Sequence, residues 1–444
     1  MVIKQYLHNL VRLQSAGRPL YEIVDELKVF RFLVIATEWG AMNGGVSTFN
    51  ANLCKGLVSS GNSVLVAIVR DPAAEDRPSI PVYEGAGDLK FVLIDGPPTS
   101  DDLEVASDFG PHFVIGHDRF TGKLATTIAK IVRRPAQSIL FVHTDPLIEL
   151  HKHDASSKRV ERREAKERWQ KRLIRSADIA VSVGPRLARH TERTIQELAK
   201  DERPRHITFL PGLDRRVPTE APQVRDRSGY RIRTFGRMED AELKGLDILR
   251  DAVALLKGAN AFPGGVTLDV LGGGDEEIWQ AQNSDEIAEY IDWRRYSGDR
   301  EDVEGFVRAA HVIVMPSREE GFGLVALEAI AANRPVIASS RSGFSEWLMS
   351  LADGDLPTLK PSLDYFIVQF REAEMRGTEG GSAWAAALST ALERIHLEYE
   401  QVMQAVEILR AHLESRDWSQ RCEELVSELR GSRKLSDILG RTVG

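Results

Sequence analysis

Glu320 and Glu328 stand eight positions apart, on either side of the loop Gly321-Phe322-Gly323-Leu324. Carboxylates accept hydrogen bonds from hydroxyl groups and repel phosphates. The backbone N–H groups of Gly321, Phe322, Gly323 and Leu324 have the opposite preference, because at a helix start they form an anion site. A ligand that suits both carries phosphate in its middle and hydroxyl-rich groups at its two ends, as a nucleotide-sugar does. A second constellation, Gly236-Arg237 followed by Lys244-Gly245, supplies a planar guanidinium fork and a point charge. These are the two cationic ways to neutralise a diphosphate. The intervening Glu239, Asp240 and Glu242 would weaken such a site if turned inward, and are expected to face solvent. His117 and His143 follow two successive apolar runs, so both are expected at strand ends facing one cleft.

The elements that must position these groups alternate along the chain. Strands are expected at Phe32–Ala36, Ser63–Val69, Phe91–Ile94, Phe113–Ile115, Ile139–Val142 and Ile179–Val183, with helices between them. A second series covers Arg233–Phe235, Thr267–Leu271, Val312–Met315 and Val336–Ala338. Such alternation implies parallel, doubly wound sheets. The key loop lies within a βαβ unit, between the strand ending at Met315 and the helix starting at Leu324, which places it at a carboxyl edge. Gly44-Gly45, after the first strand, allows close approach of backbone to ligand. Gly272, in Leu271-Gly272-Gly273-Gly274-Asp275, either lies beside a base or turns the chain.

The run Pro316-Ser317-x-x-Glu320-Gly321-Phe322-Gly323-Leu324-x-x-Leu327-Glu328-Ala329, continued by Pro335-Val336-x-Ala338-Ser339, resembles the E-x7-E region of retaining family 4 glycosyltransferases. It departs at Asn333, where that family usually has glycine. Asparagine is the next-best left-handed helix cap, so the geometry is expected to survive. The resemblance implies an α/β GT-B architecture, two Rossmann-like doubly wound domains facing across a cleft. It also implies donor diphosphate contacts for Arg237 and Lys244, sugar hydroxyl contacts for Glu320 and ribose contacts for Glu328. The GG loop and both histidines would stand near the reacting sugar. Candidate catalytic residues are then His117, Arg237, Lys244 and Glu320. Candidate donor-binding residues are Gly44, Gly45, His143, Gly236, Gly272, Gly321, Phe322, Gly323, Leu324 and Glu328. The implied reaction is retaining hexosyl transfer without a metal or other cofactor. The donor is a UDP-sugar first, with GDP- or ADP-sugar as alternatives, and the acceptor is undefined. A module of the same fold that binds a nucleotide-sugar without reacting is the alternative.

Domain expectations follow from the same pattern. They are a helical extension at 1–29, an acceptor domain at 30–216, a linker at 217–230 and a donor domain at 231–414. A terminal helix within 415–444 would cross back to the first domain. The 444 residues suffice for two cores, and 42% hydrophobic with 28% charged residues is ordinary for a soluble protein. A net charge of −8 argues against bulk nucleic-acid binding. Two cysteines, Cys54 and Cys422, fit a reducing cytoplasm, and neither a signal peptide nor a spanning run is evident. The stretch from Lys158 to Arg175 carries nine Lys/Arg against three Glu. It reads as a solvated helix face, or as a contact for a membrane surface or anionic acceptor. His151, His153 and Asp154 lack a fourth ligand for a metal. Asp353-Gly-Asp355 lacks the strand that a metal-dependent D-x-D site would follow. No G-x-G-x-x-G turn with a downstream acid supports a dinucleotide oxidoreductase.

Overall fold

The computed structural model describes residues 29–39, 45–70, 89–146, 148, 156–213, 229–236, 241–260, 262, 264–273, 291–295, 297, 299–370 and 378–431. The N-terminal extension, Gly44, Arg237 with Glu239 and Asp240, the His151–Asp154 cluster and most of the 217–230 linker lie outside the described residues.

The first sheet contains β1 (Arg31–Ala36), β2 (Ser63–Arg70), β3 (Leu89–Asp95), β4 (Phe113–His117), β5 (Gln137–Val142), β6 (Ile179–Val183) and β7 (Arg205–Phe209). Its order is β3-β2-β1-β4-β5-β6-β7, and every pairing is parallel. The second sheet contains β8 (Tyr230–Phe235), β9 (Val266–Gly273), β10 (Ile291–Arg295), β11 (Val312–Met315), β12 (Val336–Ser339) and β13 (Ile367–Val368). Its order is β10-β9-β8-β11-β12-β13, again parallel throughout. Near-continuous apolar strands such as RFLVIA and VIVM are buried on both faces because helices cover both sides of each sheet.

The strand order reverses between β1 and β4 in one sheet and between β8 and β11 in the other. Ligands of doubly wound sheets bind outside the carboxyl ends of the strands at such switch points. In the first sheet Gly45 comes after β1 and His117 ends β4. In the second, Gly236 follows β8 and the 317–323 loop follows β11.

Sequence periodicity did not single out β7, β10 or β13. In β10 the sequence Ile-Asp-Trp-Arg-Arg has only Ile291 fully buried, and β13 is two residues long. Neither offers an apolar run to read. The expected first to fifth strands are each one to three residues longer than the pattern suggested.

The helix Trp418–Gly431 packs on the helix Gly45–Ser59 of the first domain. Trp418 lies edge-on to Phe49 with ring centroids 5.2 Å apart, and Cys422 Sγ approaches the Leu53 carbonyl oxygen at 3.6 Å. Both cysteines are buried thiols. The preceding helices, Thr378–Leu397 and Tyr399–Glu414, pack on the second domain, so the chain's last described helix ties the two domains together. No helix among the described residues is long and apolar enough to cross a membrane.

The basic helix, Ser156–Ser176, spends much of its charge on neighbours. Arg163 pairs with Glu167, Arg168 with Glu164, Lys171 with Glu197 and Arg175 with Glu202. Asp353 and Asp355 pair with Lys360 and Arg416 at the surface.

Asn333 follows the helix Leu324–Ala331 with φ of 56°, the left-handed cap expected of it. Its buried Oδ1 has no hydrogen-bond partner among the described residues, so backbone conformation rather than side-chain bonding explains the residue. Asn333→Gly is expected to leave the urea unfolding midpoint unchanged or slightly raised. Asn333→Ala should cost ~1 kcal/mol, the strain of a left-handed alanine. Equal midpoints for both variants would exclude this account.

Candidate active site

A cleft of about 960 Å³ runs between the two sheets and is lined from both. Among the residues named from the sequence, Gly45, His117, His143, Gly236, Lys244, Glu320, Gly321, Phe322, Gly323, Leu324 and Glu328 line it. Gly272 does not. It continues β9 rather than turning the chain, and a Cβ there would lie 1.7 Å from the Gly236 carbonyl oxygen. Its small size serves strand packing behind the site.

On the second-domain side, β11 ends at Met315 and the helix Leu324–Ala331 begins after Gly323. Gly323 has φ of 102°, a conformation that turns the loop into the helix and that side chains resist. Lys244 ends the short helix Ala241–Lys244 and donates from Nζ to Glu320 Oε2 at 2.5 Å. The two groups assigned to diphosphate and to sugar are thus paired with each other. Arg318 holds this arrangement from behind. Its guanidinium grips both Asp247 oxygens at 2.8 and 2.6 Å and reaches the Glu242 carbonyl, while its N–H donates to the Leu243 carbonyl at 2.9 Å.

On the first-domain side, His117 is the last residue of β4 and His143 follows β5. His117 Nδ1 lies 2.9 Å from His143 Nε2, and His117 Nε2 lies 3.0 Å from Asn50 Oδ1. An amide oxygen only accepts, so His117 carries its proton on Nε2. Its Nδ1 must then accept from His143 Nε2–H, which leaves His143 Nδ1 as a lone-pair acceptor. Burial pushes the His117 pKa down to about 3. Burial, together with the neighbouring His117, holds His143 well below its ordinary value. Asp118, next in the chain, is buried with φ of 38° and accepts from the His143 N–H and the Thr144 hydroxyl, each at 3.0 Å. Burial raises its pKa to about 6 despite those bonds.

These shifts set an acid response. The unfolded histidines take up protons below pH 6.5 and the folded ones do not, so their contribution is present above 6.5 and lost as pH falls toward 3. Asp118 acts in the opposite sense. Its contribution is present below 3.8 and lost as pH rises through about 6. Two histidines outweigh one carboxyl, so urea midpoints should fall between pH 7 and pH 5. His117→Asn should flatten that fall, and an unchanged slope would contradict the assignment.

The two domains touch at the site itself. A Cβ on Gly321 would lie 2.5 Å from the His143 carbonyl oxygen, and the Phe322 ring lodges against Gly184 of the first domain. Phe322, expected to contact donor, is therefore mostly spent on this domain contact and is 5% exposed. Beside it, Glu319, 2% exposed, pairs with Arg186 of the first domain and with Arg341. Arg186 also pairs with Glu346 at 3.0 Å, and Arg189 reaches the same carboxylate at 2.6 Å. Glu319, Arg186, Asp118, Asn50 and Arg318 were not picked out from the sequence. Only Asp118 had a visible signal, its place directly after a strand-end histidine.

A family profile, Family 4 Glycosyltransferase in conflict systems, matches residues 33–425. The chain belongs to that glycosyltransferase family. Among curated proteins, the D-inositol 3-phosphate glycosyltransferase of Arthrobacter sp. (strain FB24) is 28% identical over 237 residues, covering 47% of this chain and 54% of that protein. The chain spans about half the length, or less, of the first curated relatives it matches. Among solved structures, sucrose-phosphate synthase from Thermosynechococcus elongatus superposes with a TM-score of 0.66 at 17% identity, covering 90% of this chain and 98% of that one. Anabaena HepE, solved in complex with UDP and glucose, gives a TM-score of 0.59 at 15% identity over 90% and 100% of the two chains. The fold of this family 4 member is GT-B: two parallel-sheet α/β domains with a cleft between them.

Proposed function

We propose that the protein is a retaining, metal-independent hexosyltransferase that uses a nucleoside diphosphate sugar, with UDP as the first candidate nucleotide. The observation that carries this reading is the meeting of Lys244, Glu320 and the amide-lined helix start at Gly323 in one cleft, opposite His117 and His143. The UDP and glucose held by HepE, a protein of like fold, are consistent with this choice of donor.

The diphosphate would rest on the N–H groups at Gly323 and Leu324, with Lys244 turning from Glu320 toward it and Arg237 adding a second cation. Negative charge grows on the departing diphosphate as the sugar takes on oxocarbenium character. Once Lys244 has turned to the bound diphosphate, amides and cations stabilise that charge without further reorganisation. Glu320, once released, accepts from a sugar hydroxyl, and Glu328 accepts from the ribose. Front-face attack by the acceptor, assisted by the leaving phosphate, keeps the anomeric configuration. The contacts at Gly321 and Phe322 close the cleft over the reacting atoms and exclude water.

Incubation with UDP-glucose, GDP-mannose and ADP-glucose, each with EDTA present, should release nucleoside diphosphate from at least one donor. A nucleotide at a hundred times its Kd should raise stability by ~2.7 kcal/mol in a thermal shift. Stabilisation without release, across acceptor mixtures, would favour the non-reacting binding module. The absence of both stabilisation and release would end the proposal.

A further inference from the structure

Ser47 and Asn50 sit three residues apart near the start of the helix Gly45–Ser59, and therefore on one face of it. Both line the cleft, at 6% and 2% exposure. Ser47 Oγ and Asn50 Nδ2 are buried and have no hydrogen-bond partner among the described residues. Buried donors left unpaired are costly, so two on one wall of one cleft point to a ligand group that completes them. Turning the Asn50 amide would only move the cost, because Oδ1 also accepts from the Cys54 thiol at 3.7 Å and would then be stranded.

We propose that Ser47 and Asn50 recognise a hydroxyl group of the transferred sugar. The hydrogen-bonding groups of the wall suit a hydroxyl. His117 and His143, linked in series to Asn50, are held neutral, so these two rings add no cation that would favour a phosphate. A hydroxyl needs both a donor and an acceptor. Asn50 Nδ2 donates, His143 Nδ1 accepts, and Ser47 Oγ does either. Ser47 and Asn50 line the cleft from the first domain, and Lys244 and Glu320 line the same cleft from the second, so the sugar of a diphosphate seated at Lys244 shares the cleft with this wall. The inference rests on the nucleotide-sugar reading and names the first-domain residues that read the sugar.

The test compares the affinities of UDP-glucose and UDP by calorimetry, or of GDP-mannose and GDP if the protein selects guanine. Asn50→Asp keeps an oxygen for His117 but loses the donor, and Ser47→Ala removes only the hydroxyl. Each is expected to weaken UDP-glucose at least tenfold while UDP affinity changes less than twofold, which also shows that the variant is folded. Wild-type UDP-glucose affinity in both variants would overturn the proposal. Equal losses for UDP and UDP-glucose would overturn it too, since the pair would then act on the nucleotide or on the fold. Failure of the wild-type protein to bind any of these nucleotides would instead remove the parent reading, and this one with it.

Discussion

Lys244→Ala is expected to lower turnover roughly ten- to a hundredfold while leaving the protein folded. The estimate rests on one charge-assisted hydrogen bond to the departing diphosphate, worth ~1.5–3 kcal/mol. Lys244 is about a third exposed and Glu320 less so, and the two pair at 2.5 Å. On the proposed mechanism, removing Lys244 takes away a transition-state contact and also frees Glu320 beside a phosphate position. Glu320→Gln should have a smaller effect on nucleotide affinity and a larger one on sugar transfer. The double variant should lose less than the product of the two single losses, because each group's role is conditional on the other. Released nucleoside diphosphate, measured for all four proteins, gives the cycle. Multiplicative losses would mean that the pair is incidental, and wild-type turnover in Lys244→Ala would remove lysine from the mechanism.

Much of this site could be read from residue order because its parts are local. The Glu320–Glu328 spacing, the glycine loop and the helix that follows form one continuous segment, and short-range geometry decides their placement. Lys244 and the two strand-end histidines were legible for the same reason, each being next to a strand that its own apolar run announces. The tautomers of His117 and His143 were not legible, since they depend on Asn50, 67 residues before His117 in the chain. Nor were the roles of Phe322 and Gly321. The loop pattern implies ligand contact for both, whereas packing presses them against Gly184 and His143 of the other domain. The Lys244–Glu320 pair also escaped prediction. Each residue was assigned to a ligand, and opposite charges within reach in one cleft also satisfy one another. Strands of two residues or of mixed charge, such as β13 and β10, carry no periodic signal, and they were missed on that account.

The same long-range contacts support the second large effect, at Arg186. This residue opens the helix Pro185–Gln196 of the first domain and pairs with Glu319 and Glu346 of the second. Its side chain is 13% exposed and that of Glu319 is 3% exposed, so solvent compensates little for their separation. Removing one partner of a buried pair costs ~3–5 kcal/mol when the other charge is stranded. Here Arg341 still faces Glu319 and Arg189 still faces Glu346, which places Arg186→Ala toward the lower end of that range. The cost falls on the closed arrangement, because the pairs exist only while the domains meet. The variant should therefore show a larger radius of gyration by small-angle scattering and at least tenfold slower transfer, with nucleotide affinity nearly kept. Arg186→Lys should recover only part of the loss, since one ammonium cannot bridge two carboxylates as a guanidinium fork does. High salt should weaken the wild type only slightly, as the pairs are screened from solvent. If Arg186→Ala scatters and turns over like the wild type, the remaining domain contacts, those of Phe322, Gly321 and the helix Trp418–Gly431 among them, hold the cleft closed, and the ion cluster has no part in closure.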